Sequence, residues 1–159
     1  MRRLPFARPY NPPVDFDLQL RAAVYRHFAE QAEAPSLAAM CRVMRVPPGE
    51  IKAGYQRLYA KRMLVPMSDG ESIRMAPPFS GIETQHVVRA RGKEYFANCA
   101  WDSFGIPAAL HEQAEVLSRC EQSGEPLHLH LAATGPPPSA WLFHVAVPAA
   151  HWWRDIVHT

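Results

Sequence analysis

The chain has 159 residues, of which 48% are hydrophobic and 20% are charged. This composition is typical of a folded globular protein and excludes a disordered chain, while the length allows one domain or a small helical unit joined to a second one. The formal net charge of +2 is too small to predict a nucleic-acid partner by itself.

The three cysteines, Cys41, Cys99 and Cys120, are an odd and widely spaced set. They do not resemble the disulfide framework of a secreted protein, so we expect reduced thiols and a cytoplasmic location. No apolar run approaches the roughly 20 residues that a membrane helix needs, and no apolar core of a secretory signal follows the basic start of the chain. We therefore expect no membrane partner.

The first part of the chain is predicted to be helical. Residues 1–14 are rich in Pro and Arg and are expected to form an extended arm. From residue 15 to 31, apolar side chains recur four apart, which predicts a first helix. Ser36 is a good N-cap for a second helix, and Pro47-Pro48 separates that helix from a third.

A hairpin is predicted after the third helix, because Asp69-Gly70 lies between two short apolar runs. Three short helices and a hairpin over residues 15–76 predict a winged helix-turn-helix-like domain. Residues 77–84, which begin with Pro77-Pro78, are predicted to be a linker.

The last part, residues 85–159, is predicted to be an α+β domain of mainly antiparallel strands. Arg91-Gly92 predicts the turn of a second hairpin, and a short helix is expected to run from near Cys99 to Phe104 and to stop before Gly105. Three further strands are predicted, at residues 114–119, 127–131 and 141–147.

Cys99 and Asp102 are the residues with the clearest chemical potential. They lie three apart, so a helix that begins near Cys99 carries both on one face. The positive end of the helix dipole favours a thiolate, which binds metals and acts as a nucleophile, and a neighbouring carboxyl group can move a proton. This pair suits capture of a soft metal and protonation of a carbon leaving group, although such a pair alone is more often structural.

The residues around this pair add a family resemblance. Residues 95–108 contain a Tyr-x-x-x-Cys-Ala-x-Asp run that leads into an Ile-Pro-Ala segment, and this stretch resembles the signature segment of alkylmercury (organomercurial) lyases. The resemblance covers about residues 15–157 and is most specific around Cys99. Later segments follow the family in the same order and at similar spacing: residues 118–120, 123–126 and 145–148.

The resemblance implies a role for several residues of this chain. It makes Cys99 the first mercury-binding cysteine, Asp102 the acid that helps to deliver a proton to carbon and holds the metal ion, and Cys120 a structural cysteine. Tyr95 is expected to line the site. The implied reaction is protonolysis of a small organomercurial to a hydrocarbon and Hg(II), with no organic cofactor and with external low-molecular-weight thiols removing the product.

The family's second catalytic cysteine has no counterpart in this sequence, since no cysteine follows Cys120. Soft metals select sulfur ligands, so a single thiol weakens the expectation of mercury capture and turnover. Two interpretations stay open: a chain shortened just before that cysteine, or a divergent member with another role. An external thiol that replaces the missing ligand is a further hypothesis.

Two alternatives concern other parts of the sequence. His128 and His130 point to one side of a predicted strand, but no Cys/His spacing matches a metal site, so a surface pair is the preferred interpretation. Basic residues of the third helix, Lys52, Arg57 and Lys61, suit contacts to DNA, and a DNA-binding or metal-sensing regulator is the alternative function.

Overall fold

A computed structural model describes residues 15–132 and 135–158. The arm predicted for residues 1–14 lies outside the described residues. Within those ranges no helix is long and apolar enough to cross a lipid bilayer. The elements follow in this order: α1 (Phe16–Gln31), α2 (Leu37–Met44), α3 (Pro48–Ala60), β1 (Val65–Pro66), β2 (Ile73–Ala76), β3 (Phe79–Ser80), β4 (Val87–Ala90), β5 (Lys93–Phe96), α4 (Ala100–Leu110), β6 (Ala114–Arg119), β7 (Pro126–Leu131) and a 3₁₀ helix (Ala149–Arg154).

The predicted α+β class is confirmed, with three N-terminal helices followed by two antiparallel sheets. Ser36 caps α2, where its hydroxyl accepts a hydrogen bond from the backbone N–H of Ala39 at 3.2 Å. Pro48 occupies the first turn of α3, where a residue without an N–H costs no helical hydrogen bond. The comparison with a winged helix stays a prediction.

The first sheet has the order β1-β2-β3 and contains the predicted hairpin. The carboxylate of Asp69 accepts hydrogen bonds from the backbone N–H groups of Glu71 and Ser72, which stabilises the turn. Strand β3 lies inside the predicted linker, and both of its residues are buried. The domain limits at residues 15–76, 77–84 and 85–159 stay predictions.

The second sheet has the order β5-β4-β6-β7, and all its neighbours are antiparallel. Arg91 and Gly92 join β4 to β5 and have φ angles of 54° and 70°, which match a two-residue turn of type I′. The predicted second hairpin is therefore confirmed. Helix α4 packs across β4 and β6.

Helix α4 is longer than the sequence predicted. The prediction ended it before Gly105, but the helix continues through Gly105 and Pro107 and ends where His111 adopts a φ of 54°. Gly105 lies against Pro78, because a Cβ at this position would come within 2.9 Å of the Pro78 Cβ. The close packing of the helix on another segment outweighs the weak helix propensities of Gly and Pro.

The strand predicted at residues 141–147 is wrong. These residues pair with no strand in the described ranges, and all of them are exposed, with Leu142 at 91% of its full surface. An isolated segment forms no strand without a neighbour to satisfy its backbone groups.

Phe79 joins the two halves of the fold in one core. Its ring stacks on Phe28 of α1 with centroids 5.4 Å apart and lies 5.9 Å from Tyr95 of β5. The backbone of Phe79 forms a bridge with Ala97, just after β5. This places the start of α4 beside the segment at residues 77–79.

Asp17 links α1 to α3 through charge-assisted hydrogen bonds. Its side chain is only 5% exposed, and it accepts hydrogen bonds from Arg57 at 2.9 Å and from Lys61 at 2.8 Å. The hydrogen bond from Arg57, with a smaller one from Lys61, holds the pKa of the Asp17 carboxyl below its usual value. The carboxylate therefore stabilises the folded state above the unfolded pKa, and this contribution is lost as the pH falls through the folded pKa.

We expect Asp17→Asn to lower Tm at pH 7 by about 2–6 °C, because two charge-assisted hydrogen bonds are weakened. The difference from wild type should shrink as the pH falls below the unfolded pKa of about 3.8. Thermal unfolding at pH 7 and at a pH below the unfolded pKa measures this effect. Glu83→Gln, at an exposed position, is the control. An equal Tm for the two variants at pH 7 would contradict the assigned role.

Candidate active site

Cys99 is the N-cap residue of α4, with an extended backbone at φ −151° and ψ 177°. The predicted position of this cysteine at the start of a helix is therefore confirmed. The residue is half-buried. Ala97, two residues earlier, is held by the bridge to Phe79.

The expected preference for a thiolate at Cys99 is wrong for the protein without substrate. Burial raises the pKa of the Cys99 thiol, and the negative charge of Asp102 raises it further. The backbone N–H groups of Asp102 and Trp101 oppose this effect but do not outweigh it. Desolvation disfavours the charged form more strongly here than the helix dipole favours it.

Asp102 lies in the first turn of the same helix and is also half-buried. Burial raises the pKa of its carboxyl group, and a hydrogen bond from Asn98 partly offsets that rise. The charge of Asp102 affects the pKa of Cys99, so the two groups interact as a pair. Both groups hold their protons more tightly than they would in water.

Asn98 is a site residue that the sequence reasoning missed. Its Nδ2 donates to Asp102 Oδ2 at 2.9 Å and lies 3.1 Å from the carbonyl oxygen of Phe79 and 3.4 Å from that of Pro78. Its Oδ1 is buried without a protein partner. The amide fixes the orientation of the Asp102 carboxyl group, and only the contact with residues 78 and 79, distant in sequence, reveals this role.

Side chains of helix α1 also lie near Asp102. The Tyr25 hydroxyl donates to the carbonyl oxygen of Pro77 at 2.8 Å, and the guanidinium of Arg21 lies 5.1 Å from the centre of the Tyr25 ring. Burial raises the pKa of Tyr25, and the charge of Asp102 adds to this rise. The acid therefore lies where the N-terminal helices meet the second sheet.

Tyr95, which was expected to line the site, lies in the core. Its ring packs on Phe79, and its hydroxyl donates to the backbone carbonyl of Ala29 in α1 at 2.9 Å. The residue is only 1% exposed. Its contacts assign it to the packing of β5 against α1.

Cys120 lies in the turn between β6 and β7 and is half-buried. Its Sγ accepts a hydrogen bond from the backbone N–H of Ser123 at 3.5 Å. Hydrogen bonds from Ser123, chiefly from its side chain, lower the pKa of the Cys120 thiol. The structural role that the family resemblance implies for Cys120 stays a prediction.

The three basic residues considered for DNA contacts each have a carboxylate partner. Lys52 pairs with Glu71 at 2.5 Å, while Arg57 and Lys61 both bind Asp17. These ion pairs give the side chains a role within the fold. DNA binding stays a prediction.

Comparison with protein families adds a decisive observation. The profile described as alkylmercury lyase matches residues 79–159, which is half of the chain and includes Asn98, Cys99 and Asp102. The chain belongs to the alkylmercury lyase family. Among curated proteins, no match was found.

A solved structure supports the same fold for this alkylmercury lyase family member. It is described as the mercury-bound form of MerB2, and it superposes with a TM-score of 0.60 at 19% sequence identity. The match covers 79% of this chain and 65% of the other, so this chain spans somewhat less than two thirds of that protein. At this identity the likeness shows the fold.

We expect Asp102→Asn to be more stable than wild type at pH 7. Because burial raises the pKa of Asp102, the folded protein binds this proton more tightly than the unfolded chain does, and the ionised carboxylate destabilises the fold. The gain in Tm should vanish below the unfolded pKa of about 3.8, where both states are protonated. A variant that is less stable than wild type at pH 7 would contradict the assigned environment.

Limited alkylation should distinguish the two cysteines. The thiolate reacts with iodoacetamide, and the pKa of Cys120 is lowered while that of Cys99 is raised. We expect peptide mass spectrometry at neutral pH to show several-fold faster labelling of Cys120. Faster labelling of Cys99 would mean that the helix dipole outweighs burial.

Proposed function

We propose that this protein is an organomercurial lyase-like enzyme that breaks a carbon–mercury bond by protonolysis. The observation that carries the proposal is the Cys99–Asp102 pair in one helical turn, with Asp102 held by Asn98 and with the pKa of both groups raised by burial. Membership of the lyase family supports the reaction class. The mercury-bound form of a protein with the same fold supports an organomercurial as substrate.

Capture begins when the sulfur of Cys99 adds to the mercury of an alkylmercury thiolate as a further ligand. Mercury is a soft metal, and its bond to sulfur provides the driving force for loss of the thiol proton. The charge of Asp102 acts on this thiol, so an ionised Asp102 is the proposed acceptor of that proton. A thiol that starts protonated thus brings to the site the proton that the reaction consumes.

Cleavage follows when the carbon bound to mercury takes a proton from Asp102. The raised pKa of this buried carboxyl group suits a proton donor at neutral pH. In the balanced step, an alkylmercury thiolate and the Cys99 thiol give a hydrocarbon and Hg(II) bound to both sulfurs. The electron pair of the carbon–mercury bond forms the new carbon–hydrogen bond.

Release of Hg(II) requires a thiol that replaces the Cys99 sulfur on the metal. An external thiol that donates its proton to the Cys99 sulfur leaves with the metal and restores the starting site. Low-molecular-weight thiols of the cytoplasm are the proposed partners, and the mechanism uses no organic cofactor. Hg(II) is the product in this scheme, and Asp102 is the proposed oxygen ligand during its transfer.

Turnover tests this proposal directly. Incubation with phenylmercury and excess small thiol should release benzene, measured by gas chromatography. Cys99→Ser should fall to the uncatalysed background, and Asp102→Asn should be slower by about 10²–10⁴-fold, as expected for loss of a general acid. Cys120→Ser should match wild type.

Benzene release by the wild type at only the uncatalysed rate would contradict the lyase proposal. Activity retained in Cys99→Ser would assign the chemistry to another group. Circular dichroism of each variant checks that the fold is intact, so a loss of activity is assigned to the site.

A further inference from the structure

A second group of metal-ligating side chains lies on β6 and β7. Glu115 faces His130 across this antiparallel pair, and His128 is two residues from His130 on the same face of β7. His128 and His130 are exposed, while Glu115 is half-buried. The pattern His-x-His was visible in the sequence, but the carboxylate opposite it depends on strand register.

The three side chains converge. The Nε2 of His128 lies 2.5 Å from the Oε1 of Glu115, and the two imidazole centroids are 4.9 Å apart. One ligand atom from each residue lies within 4.8 Å of the others. Bonds of about 2.0–2.2 Å to a common ion bring such atoms closer together, and the exposed His130 ring can turn to achieve this.

Besides His128, Glu115 pairs with Arg89. Arg89 lies 3.4 Å from Glu115, but its guanidinium is also bound at 2.7 Å by Glu94. Glu94 therefore holds Arg89 more closely than Glu115 does, so the arginine only partly occupies the Glu115 carboxylate.

This patch is separate from Cys99. Glu115 alternates with the buried Val116, whose side of the sheet is packed with the core. Helix α4, with the Cys99 and Asp102 pair, contributes Ile106 and Leu110 to that core. The His128 group therefore lies on the opposite face of the sheet.

We propose that Glu115, His128 and His130 form a surface site for a divalent transition-metal ion such as Zn²⁺. Two imidazoles and one carboxylate are ligands that Zn²⁺, Ni²⁺ and Cu²⁺ accept, whereas Mg²⁺ and Ca²⁺ prefer oxygen alone. Three protein ligands leave at least one coordination position for water or a further ligand. The site is independent of the proposed lyase reaction.

Isothermal titration with Zn²⁺ alone tests the site. Wild-type protein should bind one ion at this position, and His128→Gln, His130→Gln and Glu115→Gln should each weaken the affinity by about tenfold or more. His144→Gln removes an exposed histidine outside the site and should leave the affinity unchanged. Thermal unfolding of each surface variant checks that it is folded.

Titration with Co²⁺ distinguishes this site from the thiols, because cysteine ligands give an intense sulfur-to-metal charge-transfer band. We expect that band to be absent at the first equivalent, in wild type and in Cys99→Ser alike. Equal Zn²⁺ affinity in wild type and the three ligand variants would overturn the proposal. Loss of binding in Cys99→Ser but not in His130→Gln would also overturn it.

Discussion

The amide of Asn98 is the contact on which the geometry of the site depends. Its Nδ2 connects the Asp102 carboxyl group to the carbonyl oxygens of Pro78 and Phe79, so the first turn of α4 is fixed to the segment that enters the second half of the fold. Phe79 in turn stacks on Phe28 of α1. The orientation of the acid is thus coupled to the packing of the N-terminal helices on the core, although these helices supply neither Cys99 nor Asp102.

Burial determines the electrostatic state of this site. A cysteine at a helix start is usually associated with a thiolate, but desolvation and the neighbouring carboxylate raise the pKa of Cys99. The same desolvation raises the pKa of Asp102. A pair of groups with raised pKa values suits protonolysis, because the leaving carbon needs a proton and mercury itself can displace the proton on sulfur.

The sequence predicted the elements whose signals are local. Ser36 marked a helix start, Arg91-Gly92 marked a hairpin turn, and Cys99 and Asp102 were placed on one helical face. Errors arose where distant contacts decide the outcome. Helix α4 continues through Gly105 because Pro78 packs there, and the apolar segment at residues 141–147 found no strand to pair with. The roles of Asn98 and Glu115 depend on segments 20 and 13 residues away in sequence, so no local pattern indicates them.

A single-turnover reaction without external thiol tests the central claim, that Cys99 retains mercury while its pair with Asp102 supplies the proton to carbon. Phenylmercury is mixed with excess protein, benzene is quantified, and the mercury is located by peptide mass spectrometry. The account predicts about one benzene per phenylmercury, with mercury lacking its phenyl group on the peptide that contains Cys99. Intact phenylmercury retained on the cysteines, with no benzene, would contradict it.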